Sequence, residues 1–172
     1  MHENYIISLL ENYNKTKINF WNNIAEKNDL DKSTKRFYRK LISKIYKILI
    51  PEGYRILELG CGEGDLLNDL KPSCGVGIDF SDKMIEKAKA KHPNLQFFEY
   101  DVHDIPLEDK FDYIILSDLI NDVFDVQLLF RNLRKFCTES TRIVFNFYSH
   151  LWELPLNISS KLKLRIEYKE QN

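Results

Sequence analysis

The sequence has few of the residues that build metal centres, disulfide frameworks or membrane spans. Its only cysteines are Cys61, Cys74 and Cys137; they lack metal-ligand spacing and cannot all pair. We therefore expect reduced thiols and no metal site. The start lacks a signal-peptide pattern, and no run approaches the roughly 18 apolar residues of a membrane span. These absences predict a soluble, cytoplasmic protein with no membrane partner.

The charge composition also excludes little beyond a general affinity for nucleic acid. The formal net charge is −1 over 172 residues, a length that predicts one domain with a full core. Residues 1–50 are nevertheless basic, with ten Lys and Arg against five Asp and Glu. We interpret this basic start as the solvated face of helices, in preference to a surface that attracts an anionic substrate.

The most informative stretch is residues 55–65, Arg-Ile-Leu-Glu-Leu-Gly-Cys-Gly-Glu-Gly-Asp. Its first half is a short apolar run typical of a buried strand, and glycines then occupy every second position. Glycine permits positive φ and lets a ligand approach the backbone. Leucines at helical spacing follow over 66–70. The segment predicts a strand, a glycine turn and a helix N-terminus, the unit at which α/β sheets bind nucleotide-like ligands.

The spacing of these glycines separates two classes of cofactor. A dinucleotide fingerprint needs G-x-G-x-x-G, but the third residue after Gly62 and the third after Gly64 are not glycine. Glu58, Glu63 and Asp65 also place three carboxylates around the turn. Such an environment suits a positively charged cofactor better than two phosphates. A nicotinamide oxidoreductase is therefore disfavoured.

The rest of the chain alternates predicted helices and strands, which favours a parallel sheet with helices on both faces. Helices are predicted over 4–26, 33–49 and 82–91, and strands over 54–59, 75–79, 95–100, 111–116 and 141–148. We expect the first two helices to cap the ligand cleft. Phe20, Trp21 and Tyr38 would then line the cleft or belong to the core.

Asp79 ends the predicted second strand, where a carboxylate can accept hydrogen bonds from both hydroxyls of a ribose. The alternative is a carboxylate favoured near a helix N-terminus, because Ser81 is a good N-cap for the following helix. Phe80 or Met84 is a candidate for contact with an adenine face, although Met84 also suits the core.

Two further loops carry candidate polar groups. Asp101 follows the third strand, where a carboxylate can accept from an adenine amino group while a neighbouring backbone N–H donates to the ring. His103 has no partner spacing that indicates a metal or a catalytic triad, and we expect an exposed loop histidine. The fourth strand ends at Ser117 and Asp118.

The pattern Glu58-x-Gly60-x-Gly62-x-Gly64 resembles the first motif of class I S-adenosylmethionine-dependent methyltransferases. The order of predicted elements over residues 20–148, with Asp79, Asp101 and the Phe111-Asp-Tyr strand, is similar to that family. The resemblance implies a Rossmann-like, doubly wound α/β sheet in the order 3-2-1-4-5, with S-adenosylmethionine as the cofactor. It also implies an in-line transfer of the sulfonium methyl to a small-molecule acceptor.

The resemblance further implies residue roles. The turn holds the methionine part of the cofactor, Asp79 the ribose, and Asp101 with Val102 the adenine, while Ser117 and Asp118 border the methyl group and the substrate. A general base is optional, and the candidates are Asp118, His103 and His150. The expected cofactor-binding residues are Glu58, Gly60, Cys61, Gly62, Gly64, Asp79, Phe80, Met84, Asp101, Val102 and Ser117.

The C-terminus departs from the family pattern, whose sheet has seven strands and ends in an antiparallel hairpin. Only 24 residues follow residue 148. We expect a single domain over 1–172, with a helical cap (1–50), a cofactor-binding core (51–148) and a truncated segment (149–172). The unpaired strand-five edge favours a homodimer.

Three stretches, 70–79, 116–122 and 146–153, also resemble methyltransferase domains fused to bacterial glycosyltransferases, which implies a fused or associated glycosyltransferase. The alternative to a methyltransferase is a cofactor-binding or interaction module without catalysis, which the short C-terminus favours. A nucleic-acid methyltransferase is less favoured, because Ser117-Asp118-Leu119-Ile120 stands where some base-modifying members carry an Asn/Asp-Pro-Pro-aromatic signature.

Overall fold

The structure, a computed structural model, describes residues 2–26 and 32–147. Within this part of the chain, five parallel strands form one sheet in the order β3-β2-β1-β4-β5. The strands are β1 (Arg55–Leu59), β2 (Cys74–Asp79), β3 (Gln96–Glu99), β4 (Phe111–Ser117) and β5 (Cys137–Asn146). The predicted Rossmann-like α/β fold and its strand order are confirmed.

The helices cover both faces of this sheet. They are α1 (His2–Glu26), α2 (Lys32–Leu49), α3 (Asp65–Asp69), α4 (Asp82–Lys91) and α5 (Val126–Leu133), with short 3₁₀ helices at Ile120–Asp122 and Arg134–Phe136. No helix in the described ranges is both long and apolar enough to span a membrane. The predicted end of strand five at Tyr148 and the segment 149–172 lie outside the described residues.

The fifth strand begins earlier than the predicted residue 141. Its pairing with β4 shifts register, because Phe111 pairs with Cys137 whereas Tyr113 pairs with Arg142. The extra residues are held by Thr141, whose hydroxyl accepts from the Thr138 N–H at 2.7 Å and donates to the Phe111 carbonyl at 2.6 Å. Sequence periodicity does not show such a side-chain closure.

Alternate strand residues fill two apolar cores, one on each sheet face, as a covered parallel sheet requires. Leu57 and Leu59 of β1 pack with α5, while Ile56 packs with α2 and α4. β5 is the edge of the described sheet, and Phe145 near its end is exposed. The homodimer through this edge and the glycosyltransferase partner stay predictions.

Gly77 of β2 lies where a side chain would collide with its neighbours. A Cβ there would be 2.6 Å from Phe97 Cδ1 and 2.9 Å from Cys61 Sγ. We predict that Gly77→Ala lowers the free energy of unfolding by about 1–3 kcal/mol, because the Phe97 ring must move. Chemical denaturation measures this loss, and Phe97→Leu should reduce it. An equal loss in the Phe97→Leu background would show that the ring is not the obstacle.

Candidate functional site

The glycine turn after β1 has the backbone conformation that its sequence predicts. Gly60, Gly62 and Gly64 all have positive φ, at 68°, 52° and 75°. The Cys61 N–H donates to the Ile78 carbonyl at 3.0 Å, which joins the turn to β2. A Cβ at Gly62 would meet no atom within 4 Å. The backbone of the turn is therefore open to a ligand at this position.

Asp79 connects the turn to the start of α4. Its carboxylate is buried and accepts from the Gly62 N–H through Oδ2 and from the Ser81 N–H through Oδ1, each at 2.9 Å. Burial raises the pKa of Asp79, and these two hydrogen bonds oppose that shift. Ser81 caps α4 by accepting from the Met84 N–H, as predicted. A carboxylate has about four lone-pair directions, so Asp79 keeps capacity for ligand hydroxyls.

The three carboxylates predicted around the turn have different environments. Glu63 and Asp65 both pair with Lys91, at 3.2 and 2.6 Å. Glu58 is buried at the end of β1, and its Oε2 has no hydrogen-bond partner among the described residues. Burial raises the pKa of Glu58 to about 8, with a further contribution from the charge on Asp79. Glu58 is therefore the carboxyl group that lacks a cation.

Beyond β2 and β3, the structure has an open cavity of about 310 Å³. It is lined by Ile18, Phe80, Glu99, Tyr100, Asp101 and Asp104. Phe80 and Asp101, predicted to contact adenine, thus meet at one cavity. Met84 and Val102 are buried and are not among the residues that line it.

His103 differs from the exposed histidine predicted from the sequence, because its side chain is only 9% exposed. Its Nδ1 lies 2.7 Å from Asp101 Oδ1, and its Nε2 lies 3.1 Å from the carbonyl oxygen of Asp125. The hydrogen bond with Asp101 raises the pKa of His103 despite partial burial. Both ring nitrogens thus contact protein atoms. His150, the other histidine proposed as a base, lies outside the described residues.

Asp118 follows Ser117 and has a positive φ of 55°, unusual for a residue with a side chain. Its Oδ1 accepts from the Tyr38 hydroxyl at 2.8 Å and from Asn146 Nδ2, while Oδ2 receives no hydrogen bond from the described residues. The Tyr46 hydroxyl donates to Asn146 Oδ1 at 2.7 Å. Burial raises the pKa of Asp118, and the bonds from Tyr38 and Asn146 oppose this.

The sequence did not indicate that Asn146 and Tyr46 belong to this network. The available signal was their position: Asn146 ends the strand beside β4, and Tyr46 shares α2 with Tyr38. Only the packing of α2 against the sheet brings these groups to Asp118.

Helix α1 lies across the carboxyl ends of the strands. Lys17 Nζ is 2.7 Å from Asp122 Oδ1, and both side chains are largely buried. At the other side of the cleft, Asn22 donates to Asp82 at 2.8 Å and accepts from the Ser81 hydroxyl. Helix α1 therefore reaches from α4 to the segment after β4, where the sequence predicted a cap. Phe20 and Trp21 lie on it in edge-to-face contact.

The sequence model of a family described as "Methyltransferase domain" matches residues 50–170. Malonyl-[acyl-carrier protein] O-methyltransferase of Bacillus anthracis is 36% identical over 46% of this chain and 32% of its own length. Demethylmenaquinone methyltransferase of Lactococcus lactis is 31% identical over 59% of this chain and 48% of its own. The chain thus spans a third to a half of the length of these curated relatives.

A solved S-adenosylmethionine-dependent methyltransferase from Mesorhizobium loti is similar in structure, with a TM-score of 0.54. It is 29% identical and aligns over 59% of this chain and 51% of its own.

In the part of this chain that the structure describes, no three His, Cys, Asp or Glu side chains are grouped to hold a metal ion.

The buried Glu58 predicts a specific pH dependence. Its pKa is raised from 4.5 to about 8 in the folded state. The folded protein therefore binds a proton that the unfolded chain has released, and stability from this group declines as pH rises from about 4.5 to 8. The Glu58→Gln variant has no titrating group at this position. Its free energy of unfolding, measured by urea denaturation and compared with that of wild type at each pH, should therefore become relatively larger as pH rises from about 4.5 to 8.

The matched control for this measurement is Glu86→Gln, whose side chain on α4 is 70% exposed. This control measures how far the exchange of an exposed glutamate alone alters the pH profile, and the change in the Glu58→Gln variant should exceed it. A Glu58→Gln change no larger than that of the control would contradict the assignment of a raised pKa.

Proposed function

Because this chain belongs to the class I S-adenosylmethionine-dependent methyltransferases, we propose that it transfers the cofactor's methyl group to a small-molecule acceptor. The observation that carries the proposal is the unpartnered, buried Oε2 of Glu58 beside the glycine turn. Such a group can ionise readily only beside a cation, and this cofactor has an ammonium and a sulfonium. The residues present therefore fit S-adenosylmethionine better than a pyrophosphate.

The other parts of the cofactor would use the remaining groups of the cleft. Asp79 has lone pairs left for the ribose hydroxyls, because the bonds from Gly62 and Ser81 occupy one direction on each oxygen. The cavity beside Phe80 and Asp101 would take the adenine, with an aromatic ring to contact and a carboxylate to accept from the amino group. Val102, the residue after Asp101, would donate its backbone N–H to the adenine ring.

When bound, S-adenosylmethionine supplies a methyl group on a sulfonium, which is already an activated leaving group. The protein then has to align the acceptor and exclude water, and alignment can contribute up to about 7–11 kcal/mol to the rate. We assign the acceptor side to Asp118, beside Ser117 at the end of β4. Asp118 Oδ2 would accept the proton that the acceptor oxygen, nitrogen or carbon loses on gaining the methyl group, while the electron pair of the broken carbon–sulfur bond would stay on sulfur.

Two contacts support this role for Asp118. Tyr38 and Asn146 both donate to Oδ1, which fixes the carboxylate and leaves Oδ2 for the acceptor. Leu119, the next residue, lies against Gly60 of the glycine turn, where an added Cβ would be 2.9 Å from its Cδ1. Asp118 is thus close to the place proposed for the methionine part of the cofactor.

The relatives named above act on malonyl-acyl-carrier protein and demethylmenaquinone, which are the first acceptors to test. We keep one alternative, a module that binds the cofactor without transferring its methyl group.

The ribose contact gives the first test. We predict that Asp79→Ala weakens calorimetric binding of S-adenosylmethionine by about a hundredfold or more, because it removes charge-assisted hydrogen bonds to two hydroxyls. Asp79→Asn should lose less, since its amide oxygen still accepts. Circular dichroism checks that each variant folds.

Asp112→Asn is the control for that test, because Asp112 accepts from the Arg55 N–H at the opposite end of the sheet. Its affinity should equal that of wild type. Unchanged affinity in a folded Asp79→Ala variant would refute the site, as would displacement of S-adenosylmethionine by NAD.

The acceptor side gives the second test. We predict that Asp118→Asn retains cofactor binding but lowers methyl transfer to demethylmenaquinone or malonyl-acyl-carrier protein by about 10²–10⁴-fold, the range for loss of a general base. Tyr38→Phe should lower it less. Tritium transfer from labelled cofactor measures the rate. Cofactor binding by wild type with no transfer to either acceptor would favour the binding-module alternative.

A further inference from the structure

Helix α2 has two apolar faces where its sequence predicts one stripe. Ile42 and Tyr46 face the core with Ile50, as expected. A second row, here called the apolar ridge, consists of Phe37, Leu41, Ile45 and Ile48, which are 71%, 46%, 43% and 83% exposed. Their spacing of four, four and three residues places them along one side of the helix. Several large apolar side chains therefore project from a single exposed line.

Beside the apolar ridge runs a row of cations, here called the basic row: Arg36, Lys40 and Lys44. Each directly precedes a ridge residue, and all three are exposed. From Arg36 to Leu49, both included, the helix contains five basic residues and no acidic ones. Arg39 and Lys47 pair with Asp65 and Asp69 of α3. The basic row has no ion pair with any residue in the described ranges.

We propose that α2 docks the protein on the surface of an anionic lipid bilayer. A bilayer offers acyl chains and phosphate groups at adjacent depths, so one surface would satisfy both the apolar ridge and the basic row. Lysine and arginine can bury their alkyl stems beside the ridge while their charged ends reach the phosphates. An interfacial helix needs no membrane span, so the absence of such a span does not exclude this partner.

The exposure and charge of the surface favour lipid over a second copy of the chain. All four ridge residues are exposed, and Phe37 and Ile48, near the two ends of the ridge, are the most exposed. A bilayer can deform around such side chains, whereas a protein partner needs a matching groove. A second copy would place another basic row at the interface, since α2 from Arg36 onward supplies no acidic group.

The ridge also begins next to the acceptor side of the proposed site. Phe37 directly precedes Tyr38, whose hydroxyl donates to Asp118. Docking through α2 would therefore place the helix that holds Asp118 at the lipid surface. The docking itself does not depend on the proposed methyl transfer.

The test is co-sedimentation of the 172-residue chain with vesicles of equal parts phosphatidylglycerol and phosphatidylcholine, compared with phosphatidylcholine alone. We expect binding to the anionic vesicles that weakens at high salt. The variants F37S/I48S and K40Q/K44Q should each bind at least about tenfold more weakly, through lost apolar burial and lost attraction to phosphate. Two variants serve as controls. K89Q/R134Q removes two exposed charges outside α2, and F147S removes an exposed ring outside α2.

Failure of the wild-type chain to bind anionic vesicles would overturn the proposal, as would equal binding by K40Q/K44Q or an equal loss in the two controls. A dimer seen by light scattering and abolished by F37S/I48S, without vesicle binding, would assign the ridge to a second copy instead. Calorimetric binding of S-adenosylmethionine by the variants shows that they fold. If the wild-type chain did not bind S-adenosylmethionine, that result would refute the proposed function and leave the vesicle result unaffected.

Discussion

The proposed cofactor side of the site depends on the hydrogen bonds that the Asp79 carboxylate accepts. Burying an ionised group is costly, but two backbone N–H groups, from Gly62 and Ser81, donate to it. These bonds fix the glycine turn against the start of α4, so the shape of the turn does not depend on a ligand. A preformed turn lowers the ordering cost of binding. One side chain thus serves both the packing and the proposed recognition of a ribose.

The charges around the turn determine which ligands it can hold. Glu63 and Asp65 are compensated by Lys91, and the pKa of Asp65 is lowered because bonds from Lys91 and His92 outweigh its burial. Glu58 has no such partner, and its raised pKa expresses the cost of charging it alone. A ligand cation removes that cost, whereas a phosphate would increase it. On the proposed function, the preference for a positively charged cofactor would therefore come from a single uncompensated carboxyl group rather than from the total acidity of the loop.

Local patterns were enough to predict the glycine turn and the N-cap at Ser81, because each depends on residues close together in the sequence. The strand order came instead from the resemblance to the family. The pattern failed where a distant partner decides the outcome. Periodicity indicates which residues of α2 share a side, but not that Phe37 and Leu41 are left outside the core. His103 was likewise predicted to be exposed. That prediction was wrong because its ring contacts Asp125, and this contact depends on where α5 packs, which local sequence does not show.

Asp118 links the sheet to the helical cap, because it directly follows β4 and accepts a hydrogen bond from Tyr38 of α2. β1 and β4 are neighbours in space, and their loops leave the sheet in different directions, so a cleft opens between them. A non-glycine residue with positive φ at this point costs about 1–3 kcal/mol, and such strain persists only where surrounding contacts hold it. Tyr38 and Asn146 provide those contacts. Since Tyr38 belongs to α2, the helix that carries the apolar ridge also holds the strained carboxylate in place. A displacement of α2 would therefore stretch the bond from Tyr38 to Asp118, the residue proposed to face the acceptor.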